Sequence, residues 1–153
     1  MGQATPVARD LEKLGEHLFK VEIVPSVLIG EFRECTGLAV ERDILEYTEA
    51  GNNDFVYKLP GRMKFPLLVL KRGITAQDEL LKWFWDSRQM CPKLARVTVT
   101  LVHTTSDKAR IWAFENAYPV KWAGPNLNAG SDSAATETLE IAHGGFAGAG
   151  VDF

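Results

Sequence analysis

Cysteine and histidine are scarce in this sequence, and basic charge is not in excess. There are two cysteines, Cys35 and Cys91, and three histidines in 153 residues. Neither cysteine belongs to a CxxC pair or a Cys/His ligand spacing, so no zinc or redox motif is present. The residues read as free, mostly buried thiols in a reducing compartment. A disulfide between them is the other arrangement the sequence allows. A chain of this length buries roughly 70% of its unfolded surface, so neither a disulfide nor a metal is required for folding. It reads as a single domain. The formal net charge is −3, which leaves no basic footprint for nucleic acid and no attraction to an anionic membrane. No apolar run approaches the roughly 18 residues of a membrane span. The opening MGQATPVARDLEKLGEH has no apolar stretch of a signal peptide. Thr5-Pro6 also leaves Gly2 outside a myristoylation signal. The expectation is a chain made and kept in the cytoplasm.

Catalytic motifs are missing as well. His17, His103 and His143 have no partner at ligand spacing, and each reads as structural or surface histidine. Ser26, Ser87, Ser106, Ser131 and Ser133 lie in no Gly-x-Ser-x-Gly elbow. Lys58-Leu59-Pro60-Gly61 lacks the order of a phosphate loop. Glu31 and Glu34 are separated by an odd number of positions, so on a regular strand they face opposite ways and form no carboxylate dyad. The sequence therefore predicts no enzyme, cofactor or metal.

What is present is strand periodicity. Phe19, Val21 and Ile23 alternate with Lys20 and Glu22 until Pro25. Ile29–Leu38 reads as a second strand, and Glu41–Thr48 as a third on its β-favouring Ile44, Tyr47 and Thr48. Phe65–Lys71 is apolar on both faces across Leu67–Leu70, the pattern of a strand covered on both sides. Ala95–Thr104 points Val97, Val99 and Leu101 inward, with Arg96, Thr98 and Thr100 facing away. A turn at residues 105–108 returns it as Arg110–Glu115, which extends through Trp122 with a break at Pro119. Glu137–His143 closes the series with Leu139 and Ile141 inward. One helix is expected, opened by Thr75 and Asp78 in a capping-box arrangement and ended near Met90 by Pro92. Leu80, Leu81 and Phe84 form its apolar stripe. Trp83 and Trp85 do not both fit on that stripe, and the one outside is a candidate interface anchor. A short helix at residues 8–16 is a further candidate. The resulting fold class is mainly β: a barrel or sandwich of about seven antiparallel strands with one flanking α-helix.

The stretch EAGNNDFVYKLPG, residues 49–61, mixes turn residues with Phe55, Val56, Tyr57 and Leu59, which normally seek a core. It is either a connection folded back on its own barrel or an arm buried on another copy. An antiparallel sheet must also manage its edges by closure, covering or pairing. The second reading makes Asn52, Asn53, Phe55, Val56, Tyr57 and Leu59 the candidate subunit interface.

Several segments in order resemble the tube proteins of contractile phage tails and phage-tail-like injection particles. They are FKVEI (19–23), IGEFRECTGL (29–38), EYTEAGNN (46–53), Leu59-Pro60-Gly61 and LVLKRG (68–73). Trp83 or Trp85 on the helix, NAYPVKW (116–122) with Gly124-Pro125, and ETLEIAH (137–143) complete the resemblance, which covers residues 17 to 146. One departure is Ala50, where the family often has glycine. A positive φ there would strain alanine by about 1 kcal/mol.

The resemblance implies a non-enzymatic protomer that forms hexameric rings, stacked into a rigid hollow tube inside a contractile sheath. Its implied partners are itself, the sheath, baseplate or spike and terminator proteins, and DNA or effector cargo in the lumen. Residues 1–16 and the Gly-rich tail 147–153 are expected to order only in the assembly. Thr98 and Thr100 suit a weakly adhesive lumen wall, or else face the sheath or solvent. A competing reading is a monomeric small-barrel ligand-binding module with an internal apolar pocket; another is a hydrolase with an unrecognised site.

Overall fold

A computed structural model describes residues 19–25, 28–51, 54–101, 110–128, 130 and 134–147. The candidate helix at 8–16, the turn at 105–108, Asn52, Asn53, His17, His103 and the tail beyond residue 147 lie outside the described residues. Among those described, nine strands and one helix follow in the order β1 Phe19–Val24, β2 Leu28–Phe32, β3 Glu34–Thr36, β4 Glu41–Tyr47, β5 Tyr57–Lys64, β6 Leu68–Gly73, α1 Glu79–Asp86, β7 Ala95–Leu101, β8 Arg110–Ala123 and β9 Thr136–Ala142. The architecture is mainly antiparallel β with one helix, as the sequence indicates.

Seven strands form one sheet in the order β2-β1-β7-β8-β9-β6-β3. Its two end strands come from the stretch the sequence reads as a single strand. The chain breaks at Arg33: β2 pairs with β1, and β3 with β6. The Arg33 amide donates to the Lys71 carbonyl at 2.9 Å. The sheet therefore rolls round on itself, as strand twist favours. Its ends meet tip to tip rather than side by side, so it is not a closed barrel. β8 carries the bend. Its first half pairs with β7 and its second with β9. Asn116 lies between them at φ 55, a left-handed conformation that Asn tolerates better than most residues. A register shift between Pro119 and Lys121 gives a proline, which has no N–H to donate, a place in a long strand.

Alternation built the core as expected on β1, β7 and β9. Val21, Ile23, Val97, Val99, Leu139 and Ile141 are fully buried, with Phe32, Leu68, Leu70 and Phe114 between them. Three expectations are corrected. On β6 the burial alternates instead of covering both faces: Leu68, Leu70 and Arg72 turn inward, while Leu67 is exposed and Val69 half-buried. The helix is shorter than expected. Thr75 Oγ1 donates to the Gln77 carbonyl instead of capping, and Asp78 occupies the cap position without a side-chain bond. The helix buries Leu80 and Trp83, with Leu81 and Phe84 only half-buried, and leaves Trp85 61% exposed. The Ser87 amide and hydroxyl both bond the Trp83 carbonyl, ending the helix well before Pro92. Finally, both cysteines are free, but only Cys35 is partly covered; Cys91 is exposed.

Candidate assembly surface

β4 and β5 stand apart from the seven-stranded sheet as a two-stranded ribbon. The stretch read as a turn-rich arm is thus half strand, because β5 begins at Tyr57. The register pairs Leu45 with Leu59, Glu46 with Lys58, and Tyr47 with Tyr57. Cross-strand partners share a face, and residues two apart share a face. Leu45, Tyr47, Tyr57 and Leu59 therefore line one side. Phe55 joins them, its ring edge-on to Tyr57 with centroids 4.9 Å apart. The opposite side carries Glu46, Lys58, Ile44 and Pro60.

Among the described residues the apolar side is only partly covered. Leu45 is 60% exposed, Tyr47 56%, Phe55 53%, Leu59 48% and Tyr57 41%. A contiguous apolar patch of this kind marks an interaction surface on a soluble protein. Val56 is also exposed. The sequence picks out Phe55, Val56, Tyr57 and Leu59 but not Leu45 and Tyr47, which fall within the strand read over Glu41–Thr48. Pairing ERDILEY against YKLPG would have exposed them, since both segments alternate around the same apolar face. At the tip, the positive φ falls on Gly51 at 97° and not on Ala50. The Ala50 departure therefore introduces no backbone strain. At the root, Asp43 and Lys64 pair at 2.7 Å. The Asp43 hydrogen bond and charge push the lysine pKa up. Both side chains are exposed, so the pair adds little stability.

Other surfaces offer less. Among the described residues, the inside of the rolled sheet holds the core side chains. A cleft of about 510 Å³ lies instead beside α1, with Trp83, Pro25 and Ala95 ringed by Asp86, Ser87 and Lys93. This is not the internal apolar pocket of the ligand-carrier reading. Among the described residues no group of three His, Cys, Asp or Glu is placed to hold a metal ion, and no helix is long and apolar enough to cross a membrane.

The model of the T4-like virus tail tube protein gp19 family matches residues 15–147. The chain belongs to this family. It is a structural subunit of the inner tube of a contractile tail or tail-like injection particle. Solved structures carry the same fold. One from the sheath–tube complex of an extracellular contractile injection system, PVC, in its extended state superposes with a TM-score of 0.75 at 19% identity, covering 95% of this chain and 97% of that one. A chain of the anti-feeding prophage (AFP) baseplate gives 0.74 at 24% identity, covering 95% and 96%. One from the PVC sheath/tube terminator gives 0.74 at 21%, covering 96% and 97%. No curated protein matches the chain. At these identities the structural likeness is one of fold, and residue roles in this tail tube protein rest on its own geometry.

Proposed function

We propose that copies of this tail tube protein close into hexameric rings and stack into the rigid tube of a contractile particle. A sheath surrounds the tube, baseplate and terminator proteins end it, and its lumen conducts DNA or effector protein. The subunit performs no catalytic step. It assembles in the bacterial cytoplasm and leaves it as part of the particle. The observation that carries this reading is the bare apolar side of the β4–β5 ribbon. Burying each of its large side chains completely offers up to about 1.5–3 kcal/mol, and among the described residues no strand supplies the cover. We assign Phe55, Val56, Tyr57 and Leu59, with Leu45 and Tyr47, to the contact between copies; Asn52 and Asn53 are proposed as the tip of the same contact. A ring contact that closes by rotation, combined with axial stacking that does not close, gives a filament.

Sedimentation and negative-stain imaging of the purified protein at rising concentration test the proposal. Rings or tubes are expected, and Phe55→Ser with Tyr57→Ser is expected to suppress them while the protomer stays folded. A protein that remains monomeric at every concentration would overturn the assembly reading. Unchanged polymerisation of the double variant would move the contact elsewhere.

A further inference from the structure

The chain beyond β9 runs on along β8, in the register of the β8–β9 ladder. The Gly144 amide donates to the Glu115 carbonyl at 2.8 Å, the Glu115 amide to the Gly145 carbonyl at 3.3 Å, and the Ala147 amide to the Ala113 carbonyl at 2.7 Å. Phe146 forms an antiparallel bridge with Phe114. These bonds occupy the part of β8 that β9 does not pair, since the β8–β9 ladder begins at Tyr118. The path needs glycine at residue 145, where φ is +121° and a Cβ would lie 2.9 Å from the Phe65 ring.

His143 stands where β9 gives way to this segment. Its ring centroid is 4.5 Å from that of Phe114, 5.8 Å from Phe65 and 6.5 Å from Phe146. Its Nδ1 accepts the Gly145 amide at 3.2 Å. An accepting Nδ1 carries no proton, so the neutral ring holds its hydrogen on Nε2. Nε2 is buried and makes no hydrogen bond of ordinary geometry, although the Pro66 carbonyl lies close enough to the ring to favour its charged form. A second proton has only Nδ1 to occupy, where it would oppose the Gly145 N–H. The resulting charge would sit among three phenyl rings. The charged residues within three positions of His143, Phe65, Phe114 and Phe146 are Arg62, Lys64, Glu115 and Glu140, and Arg62 is exposed. Lys64 is paired with Asp43 and Glu140 with Lys121, and Glu115 is exposed to solvent.

We propose that residues 144–147 are an acid-released latch, opened when protonation of His143 at Nδ1 breaks its bond with the Gly145 amide and frees the segment from the edge of β8. Burial holds the imidazole pKa below its usual value, with the Pro66 carbonyl opposing that shift. The latch is therefore closed at neutral pH. Its contribution is complete above the unfolded histidine value of about 6.5 and is lost as the pH falls through the lower folded value. Opening uncovers Phe146 and the backbone groups of Ala113 and Glu115. The inference is independent of how the subunits assemble.

Amide hydrogen exchange on the full chain, kept dilute, tests the latch. Protection factors of Gly144, Gly145 and Ala147 are compared between about pH 8 and about pH 5, with Val21 and Val99 as references. Protection of the three latch amides is expected to fall by up to about tenfold per pH unit as the pH drops from about 6.5 towards the lower folded His143 value, and to level off below it, as linkage requires, while the references hold. His143→Asn should keep the latch closed at both values. Asparagine Oδ1 accepts an amide two residues on, as in an Asx turn, and does not titrate. Equal protection of the wild-type latch amides at both pH values, or the same acid loss in His143→Asn, would overturn the proposal. The ring nitrogens of the wild type give a test without any variant: an Nδ1 that carries the proton at about pH 8 would overturn it too.

Discussion

Arg72 and Glu137 face each other across β6 and β9 with both side chains turned into the core, and Arg72 Nε donates to Glu137 Oε1 at 2.6 Å. Each side chain is at most 6% exposed. The second carboxylate oxygen accepts Trp122 Nε1 at 3.1 Å, which ties β8 to the same pair. The guanidinium lies 5.6 Å from the Phe32 ring centroid, and its Nη2 has no hydrogen-bond partner. Desolvating two charges offsets much of their attraction, so the pair is more a register pin than a source of net stability. Glu137→Ala leaves the guanidinium uncompensated in the core. It is expected to cost about 3–5 kcal/mol, read as a lower urea midpoint at unchanged slope. The joint replacement Arg72→Met with Glu137→Leu should recover most of that loss. A loss below about 1 kcal/mol in Glu137→Ala would show that water reaches the site.

The ribbon makes a prediction about sides that exposure alone does not. Tyr57 and Lys58 are neighbours in sequence but point to opposite faces of β5. If the apolar side is the contact, Tyr57→Ser and Leu45→Ser each weaken association by roughly 1–3 kcal/mol per contact. Lys58→Ser on the other face changes it little. Critical concentrations for tube formation measure the difference. Equal effects at residues 57 and 58 would mean that the ribbon is clasped on both faces.

These contrasts also show which features the sequence made legible. Strict alternation at Val21/Ile23, Val97/Val99 and Leu139/Ile141 identified β1, β7 and β9, because a strand with one buried face must repeat every two residues. The partner exchange at Arg33 was not legible. Nothing local in IGEFRECTGL says that its halves pair with strands far apart in sequence. The burial of Arg72 was not legible for a related reason: a charged residue in LVLKRG looks like the end of a buried run until Glu137 is placed opposite it. At the assembly surface, Phe55, Val56, Tyr57 and Leu59 stood out against polar neighbours. Leu45 and Tyr47 did not, because a strand with an uncovered apolar face has the same pattern as one in a core.

The two helix tryptophans separate core from surface. Trp83 is 5% exposed and packs with Leu80, whereas Trp85 is 61% exposed with the Arg88 guanidinium 5.1 Å from its ring. Trp83→Ala is expected to cost about 3–5 kcal/mol, as for other buried aromatics, and Trp85→Ala about 0.5–1 kcal/mol through the lost cation–π contact. Thermal unfolding of the dilute protein measures both. Comparable losses from the two would mean that Trp85 is buried in solution.

The two thiols differ in the same way, and pH makes the difference visible. Cys35 sits opposite Leu70 in the β3–β6 ladder and packs against the core. Burial pushes its pKa from 9.0 to about 11. Cys91 is exposed beyond the helix. Only the thiolate is alkylated, so a mild alkylating reagent at about pH 8 should label Cys91 and leave Cys35 intact until the chain is unfolded. The same shift has a signed consequence for stability. Between 9.0 and about 11 the unfolded chain releases the Cys35 proton while the folded chain retains it. The unfolded state then binds fewer protons, and stability falls as the pH rises through that window. Cys35→Ala removes that part of the alkaline loss, at the expense of a small cavity beside Leu70. Urea midpoints of wild type and Cys35→Ala across the alkaline range measure it, and parallel curves would show that the thiol is not desolvated in the folded protein.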